Sequence, residues 1–232
     1  MKVIMFGATG MVGQGVLREC LLDADVDKVL SIGRSESGQR HEKLRELVRA
    51  DLFPDLSAIA EDLAGCDACF FCLGVSSAGM SEDAYRKVTY DITIAAARLL
   101  VEKSPQTTFI YVSGAGTDST ERGRVMWARV KGATENALMK LPFKAAYMFR
   151  PGFIQSLHGA TSRTRSYRIL YGVFRPIVPL VVALFPNQVT TTERIGRAML
   201  AAAKRGAPKA ILDPQDINSL ASPPSSPASP ST

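Results

Sequence analysis

The stretch MKVIMFGATGMVGQG, residues 1–15, decides the fold of this chain. Its apolar run VIMF, which begins at Val3, is typical of a strand buried on both faces of a parallel sheet. Gly7, Gly10 and Gly13 then read G-x-x-G-x-x-G and lead into apolar residues at helical spacing. A strand, a glycine turn and a helix N-terminus together attract anions, because free N–H groups and the helix dipole converge there. Directly after a buried strand, the motif indicates a βα unit that binds a dinucleotide, rather than a glycine-rich turn without a ligand.

The composition is typical of an ordinary soluble protein, with 46% hydrophobic and 22% charged residues among 232. A chain of this length can form one α/β domain with a full core and a small additional lobe. The net charge of +6 would suit a nucleic-acid partner, but the basic residues are scattered. The densest basic cluster is Arg163, Arg165, Arg168 and Arg175. We therefore expect a small-molecule substrate and no nucleic acid.

The most apolar window, residues 169–185, makes a poor membrane span because it is short and contains Arg175, Pro176 and Pro179. A buried helical lobe is the favoured interpretation, and contact with a membrane surface is the minor alternative. Met1 leads directly into the first strand, which leaves no room for a cleaved leader. We therefore predict a cytoplasmic location.

Three of the four cysteines form a C-x-x-C-x-x-C pattern, at Cys66, Cys69 and Cys72; the fourth is Cys20. On a predicted strand, a spacing of three places Cys69 and Cys72 on opposite faces, which does not suit a shared metal. We therefore predict buried thiols in a reducing compartment, and no metal site.

Strand and helix patterns alternate without repeats, which predicts an α/β fold, a doubly wound parallel sheet of the Rossmann type. Residues 1–220 are expected to form a single domain, with a small substrate lobe over 154–186 and a disordered Pro/Ser tail over 221–232. The predicted strands after the first are Lys28–Ile32, Arg45–Asp51, Ala68–Leu73, Thr107–Ser113, Ala145–Phe149 and Ala210–Leu212. The predicted helices after the first are Ser81–Lys103, Val125–Leu141 and Thr191–Ala203.

The end of the second predicted strand indicates which dinucleotide is bound. An acidic residue at this position would accept a hydrogen bond from the adenosine 2′-hydroxyl of NAD, whereas a basic one pairs with the 2′-phosphate of NADP. Arg34 stands there, with Ser35 beside it. A guanidinium matches a phosphate bidentately, so NADP is predicted and NAD is less favoured.

Four motifs resemble the short-chain dehydrogenase/reductases, in their atypical or extended, epimerase/dehydratase-like branch. They are GATGMVG at residues 7–13, YVSGAG at 111–116, KGATEN from Lys131, and RPGF at 150–153. The resemblance extends over roughly residues 1–220, and the ending with TTTERIGRAML and AILDPQDINSL is similar to that of the Tat-interacting-protein-like group.

This resemblance implies a catalytic Tyr-x-x-x-Lys on a helix, assisted by a serine at the preceding strand end. By position the serine is Ser113 and the lysine is Lys131, which would also hold the cofactor ribose, but the tyrosine position holds Trp127. An indole N–H only donates and does not ionise near neutral pH, so it cannot exchange a proton with a carbonyl substrate. The expected cofactor-binding residues are Gly7, Thr9, Gly10, Met11, Val12, Gly13, Arg34, Ser35, Asp51, Leu52, Leu73, Gly74, Lys131, Pro151, Gly152 and Phe153.

Two functional hypotheses follow from Trp127. In the first, the chain is an NADP-dependent reductase or epimerase-like enzyme in which another group supplies the proton. The candidate groups are Tyr111, Tyr85, Tyr90 and Asp118; a core position is favoured for Tyr111 and a solvated loop position for Asp118. In the second, the chain binds NADP without ordinary turnover and acts as a cofactor-sensing protein.

Overall fold

The structure, a computed structural model, describes residues 1–49, 56–160 and 188–222. Its strands are β1 (Lys2–Phe6), β2 (Lys28–Gly33), β3 (Leu44–Val48), β4 (Ala68–Phe71), β5 (Thr108–Val112), β6 (Ala145–Phe149), β7 (Phe153–Gln155), β8 (Val189–Thr191) and β9 (Ile211–Leu212). Its α-helices are α1 (Met11–Leu22), α2 (Glu82–Arg86), α3 (Ile92–Lys103), α4 (Met126–Leu138), α5 (Thr192–Arg205) and α6 (Pro214–Ala221). A 3-10 helix spans Ser57–Leu63, and a π-helical stretch spans Lys87–Asp91.

Seven strands form one parallel sheet in the order β3-β2-β1-β4-β5-β6-β9. Val3 of β1 pairs with Val29 on one side and with Ala68 on the other. The strand order therefore reverses between β1 and β4, and in doubly wound sheets a ligand binds outside the carboxyl ends of the strands at such a point. The predicted doubly wound Rossmann fold is confirmed.

Helices cover both faces of this sheet, and each face has its own core. Val3 and Met5 of β1 pack with residues of α1, α5 and α6. Ile4 and Phe6 point to the other face and pack with residues of the 3-10 helix, α3 and α4. All four side chains are at most 1% exposed, which is why the first strand is apolar on both sides.

Several predicted boundaries differ from the observed ones. The third strand ends at Val48 rather than Asp51, and residues 50–55 lie outside the described part of the chain. The predicted helix over Ser81–Lys103 is a continuous helical run, but a π-helical stretch separates α2 from α3. At that stretch the Thr93 hydroxyl donates a hydrogen bond to the carbonyl of Thr89, four residues earlier in the same helical run.

The structure adds elements that the sequence patterns did not predict. β7 and β8 form a separate parallel pair beside the main sheet. α6 begins with a capping box between Asp213 and Asp216, with Pro214 in its first turn. These residues are a recognisable helix start, so the signal for α6 was present in the sequence.

α1 and α5 pack so closely that each uses a glycine at the contact. A Cβ at Gly15 would lie 2.5 Å from the Cβ of Thr192, and one at Gly196 would lie 2.7 Å from the Cγ of Glu19. The Glu19 carboxylate is buried there and pairs with Arg18 and Arg197. The last long helix therefore supports the helix that follows the glycine motif.

Some predictions fall outside the described residues. Most of the expected substrate lobe, with its basic and apolar residues, lies in 161–187, and the Pro/Ser tail lies in 223–232. Asp51 and Leu52, expected near the adenine, lie in the gap at 50–55. Among the helices of the described ranges, none has the length and apolar character needed to cross a membrane.

Candidate cofactor and active site

The glycine motif forms a tight turn between β1 and α1. Gly7 has a φ of +83°, and a Cβ there would lie 2.7 Å from the backbone carbonyl of Cys72. A Cβ at Gly13 would lie 2.0 Å from the carbonyl oxygen of Gly7. The Gly10 N–H donates to that same oxygen at 3.0 Å. Only glycine fits at the first and last motif positions, because any larger residue would push α1 away from β1 and β4.

The N-terminus of α1 opens onto a cavity. Gly10 is the N-cap, and the first N–H bonded within the helix is that of Gln14, which donates to the Gly10 carbonyl. The N–H groups of Met11, Val12 and Gly13 precede that first bond, as is general at a helix start. The first turn holds no acidic side chain. Its backbone therefore favours an anionic ligand.

This cavity has a volume of about 620 Å³ and lies at the carboxyl ends of β1, β4, β5 and β6. It brings together most of the predicted site residues, which come from five separate parts of the chain. The predicted residues in its lining are Gly10, Met11, Val12, Leu73, Gly74, Ser113, Trp127, Lys131, Pro151, Gly152 and Phe153. Gly7 and Gly13 shape the turn behind it, and Thr9 holds that turn by accepting a hydrogen bond from the Gln14 side chain through its carbonyl.

Arg34 and Ser35 lie outside the cavity lining, directly after β2. The Arg34 side chain is exposed, and within the described residues it has no ion-pair partner. The nearby Glu46 carboxylate accepts a hydrogen bond from the Ser37 N–H instead. The Arg34 guanidinium is therefore available to an anionic ligand. It lies directly after β2, the strand that neighbours β1.

Lys131 projects from α4 into the cavity wall. Its Nζ donates a hydrogen bond to the main-chain carbonyl of Ser113. Burial lowers the pKa of Lys131 to about 8, while the charge of Glu135 acts in the opposite direction. At pH 7 the ammonium is therefore still mostly charged, but it loses its proton as pH rises through about 8, well below the range of an ordinary lysine.

Ser113 is 6% exposed, and its hydroxyl is already engaged. It donates to the Glu135 carboxylate and lies 3.1 Å from the carbonyl of Phe149. The resemblance implies that this hydroxyl orients the substrate oxygen. In the structure it points to a buried carboxylate, and the Ser113 carbonyl faces Lys131 instead.

Glu135 is the functional candidate that the sequence reasoning missed. Its side chain is fully buried, and both carboxylate oxygens lie 3.1 Å from the Nε of Arg150. The Arg150 Nη2 also reaches Ser119 Oγ at 2.6 Å. The available signal was a carboxylate four residues after Lys131, which places both on one helical face. Arg150 therefore links Glu135 of α4 to Ser119 in the loop after β5.

Trp127 lies at the cavity, half-buried, where the resemblance places a tyrosine. A Cβ at Gly116 would lie 3.6 Å from the Cη2 of the indole, so the ring extends over the loop that follows β5. In this position Trp127 can stack on a ligand or donate one hydrogen bond, but it cannot act as an acid or base.

The four candidate proton donors occupy different environments. Tyr111 is 1% exposed in the core, and burial raises the pKa of its hydroxyl above the usual range. Asp118 accepts hydrogen bonds from Thr120 and Gly123, which lower its pKa, so it fixes the loop. The Tyr90 ring lies 4.0 Å from the guanidinium of Arg86. Tyr85 is the candidate that lines the cavity.

The cysteines of the C-x-x-C-x-x-C pattern do not all lie together in the structure. Cys69 packs in the core on one face of the sheet, and Cys72 packs against the core on the other, as the strand spacing predicted. Burial raises the pKa of Cys72 to about 12, so its thiol stays protonated although it borders the cavity. Within the described ranges, no group of three or more His, Cys, Asp or Glu side chains is placed to hold a metal ion.

The fold and the site together are those of a dinucleotide-binding protein. The sequence pattern of the NAD(P)H-binding family matches residues 7–144, and the chain belongs to that family. The predicted resemblance to an atypical member near the Tat-interacting-protein-like group is confirmed.

Curated relatives and solved structures agree with this assignment. The chain is 27% identical over 152 residues to the mitochondrial protein FMP52-2 of Scheffersomyces stipitis, covering 65% of each protein. It is 28% identical over 154 residues to HTATIP2 of Rattus norvegicus, covering 66% of this chain and 62% of the relative. The Bordetella bronchiseptica enzyme WbmF in complex with NAD+ shares the fold, with a TM-score of 0.66, 15% identity, and coverage of 94% of this chain and 76% of that one.

The match therefore spans about two thirds of the curated relatives' length.

The predicted location is wrong in this comparison. We expected a cytoplasmic location, but the fungal relatives, including those from Scheffersomyces stipitis and Eremothecium gossypii, are named as mitochondrial proteins. The expectation rested on an apparent lack of a leader at Met1, and that observation does not determine the compartment.

The residues around the cavity fit a nicotinamide dinucleotide. The turn admits no side chain at Gly7 or Gly13, and the N-terminus of α1 is free of acidic groups. Gly74 has open space around it, with no atom within 4 Å of a Cβ placed there. These features leave room for backbone to approach a pyrophosphate and a ribose closely.

Proposed function

We propose that this chain binds NADP(H) in the cavity and acts as an oxidoreductase or epimerase-like enzyme on a small carbonyl or sugar-nucleotide type substrate. The observation that carries the proposal is the cavity itself. Its lining includes both the N-terminus of α1, at Gly10, Met11 and Val12, and the side chains of Lys131 and Trp127. A helix N-terminus suited to a pyrophosphate and a partly buried lysine thus border the same cavity.

Each part of the cofactor has a partner in this proposal. The N–H groups of Met11 and Val12 would hold the pyrophosphate, because they start a helix whose dipole favours anions. Lys131 would hold the nicotinamide ribose, and Arg34 would pair with the 2′-phosphate. Gly74, where a Cβ would meet no atom within 4 Å, leaves open space beside the cavity for the sugar.

Bound NADPH would supply a hydride to the carbon of a substrate carbonyl, and Tyr85, the candidate donor that lines the cavity, would supply the proton to its oxygen. The chain's own residues would bind and orient that substrate and keep water away from it. Trp127 offers a flat apolar face and one N–H donor to the substrate, beside the apolar side chains of Phe153 and Ile154. The site therefore favours a substrate with a planar or apolar group next to its reacting oxygen.

A second candidate function is binding of NADP(H) without turnover. Trp127 favours it, because the group that normally exchanges the proton cannot do so here. In this case bound NADP(H) would change the shape of the protein surface around the cavity, and a partner would recognise that change.

The test is a fluorescence titration with NADPH, followed by two activity screens: NADPH oxidation with carbonyl compounds, and formation of epimerised product from nucleotide sugars. We expect tight NADPH binding, weakened by Lys131→Ala and unchanged by Lys140→Ala, an exposed lysine just after α4. Turnover that disappears with Lys131→Ala supports the enzyme. Binding without turnover supports the second candidate, and absence of NADPH binding contradicts both.

A further inference from the structure

Glu135 is a buried carboxylate with no role in the proposed binding of NADP(H). It lies on α4 one turn after Lys131, and its side chain has no solvent exposure. Its two oxygens accept hydrogen bonds from three donor atoms: the Ser113 hydroxyl and the Nε and Nη2 of Arg150. The carboxylate is therefore fully partnered just behind the cavity wall.

Stability alone is a poor explanation for this arrangement. Removing two charges from water costs free energy, and a buried ion pair is often no more stabilising than apolar residues of similar volume. The pair also joins parts of the site that come from distant sequence positions. Ser113 follows β5 and Arg150 follows β6, and the Arg150 Nη2 that donates to Glu135 also donates to Ser119 Oγ in the loop after β5.

The pair acts on Lys131 by two routes. The first is geometric: the Ser113 hydroxyl is held by Glu135, and the carbonyl of the same residue accepts the Lys131 Nζ. The second is electrostatic: the negative charge of Glu135 supports the ammonium against its burial. Within residues 1–49, 56–160 and 188–222, the other titratable groups that face this region are Tyr85 of α2, Tyr111 of β5, Cys72 after β4 and Arg150 after β6.

We propose that Glu135 is a positioning residue, which holds Ser113 and Lys131 in the arrangement that they present to the cofactor. Ser113 then serves the site through its carbonyl, while its hydroxyl anchors it to Glu135. This proposal rests on the proposed NADP(H) site, because the arrangement of Lys131 matters to function only if a cofactor binds beside it.

The experiment compares Glu135→Gln with the wild-type protein by two measurements. Competitive acetylation over a pH series, read by mass spectrometry, gives the midpoint at which the Lys131 amine becomes reactive. NADPH titration at the same pH values gives the affinity. We expect Glu135→Gln to lower the Lys131 midpoint by about one pH unit, and to weaken NADPH about tenfold near neutral pH.

Glu19→Gln is the matched control for a merely structural loss. Glu19 is also buried and also paired with arginines, but it lies between α1 and α5, away from the cavity lining. We expect it to lower stability and to leave the Lys131 midpoint unchanged. A Lys131 midpoint and an NADPH affinity that are the same in Glu135→Gln as in this control would overturn the proposal.

A second variant covers the case in which Glu135→Gln does not fold, since it leaves Arg150 buried without its partner. Glu135→Asp keeps the charge but withdraws the carboxylate from Ser113. We expect a folded protein with a Lys131 midpoint near that of the wild type and a severalfold weaker affinity for NADPH. Wild-type affinity in this variant would contradict the positioning role. If wild-type protein binds no NADPH, the proposed function fails, and the acetylation midpoint still decides whether Glu135 controls Lys131.

Discussion

The carbonyl oxygen of Gly7 lies 2.0 Å from the place that a Cβ would take at Gly13. No side chain fits there unless the turn between β1 and α1 opens. The third motif glycine is therefore required by packing inside the protein, before any ligand is considered.

Gly13→Ala is accordingly expected to lower the free energy of unfolding by about 1–3 kcal/mol, a typical cost of overpacking. It should also abolish detectable NADPH binding, because α1 must move to admit the methyl group. Thermal or denaturant unfolding and an NADPH titration check both effects. Gly10→Ala is the comparison, since its Cβ would lie 3.4 Å from the nearest atom. Equal stability losses in the two variants would contradict the packing argument.

Arg34→Ala tests which dinucleotide is preferred. A charge-assisted hydrogen bond contributes about 1.5–3 kcal/mol, so we expect NADPH affinity to fall by roughly 10- to 100-fold. Affinity for NADH should change little, because NADH lacks the 2′-phosphate. Arg98→Ala, at an exposed position on α3, is the control. Equal losses for both cofactors would refute the assignment of Arg34 to the phosphate.

Trp127→Tyr tests whether the missing acid limits turnover. The new hydroxyl would stand four residues before Lys131, on the same face of α4. We expect NADPH oxidation with a carbonyl substrate to appear, or to rise by about 100-fold, which is typical of an added general acid. Trp127→Phe keeps an aromatic ring without a titratable group and should show no gain. A similar gain in both variants would mean that ring size, rather than proton transfer, is responsible.

The affinity for NADPH should depend on pH through Lys131. The pKa of this lysine is lowered to about 8 in the folded protein, so its charge is lost as pH rises through that value. We expect affinity to fall above pH 8 and Lys131→Arg to remove this dependence, because arginine stays charged. Titrations at constant ionic strength provide the measurement. A wild-type affinity that is flat across this range would exclude a charged Lys131 from cofactor binding.

Local patterns were sufficient for the fold. The buried strand, the glycine turn and the alternation of elements depend on short stretches such as residues 1–15, and the observed sheet follows them. The contacts of single side chains were harder to foresee. The Ser113 hydroxyl was expected to face substrate, but it donates to Glu135, which approaches from another element. β7 and β8 were missed because each is three residues long and their partners lie far apart in sequence.

The glycine contact between α1 and α5 has a consequence for synthesis of the protein. The helix that follows the glycine motif is made long before the surface against which Gly15 and Glu19 pack, at Thr192 and Gly196. Contacts between such distant positions form slowly, because a long intervening chain must be closed first. The glycine turn of a nascent chain therefore lacks the support of this contact until α5 has left the ribosome.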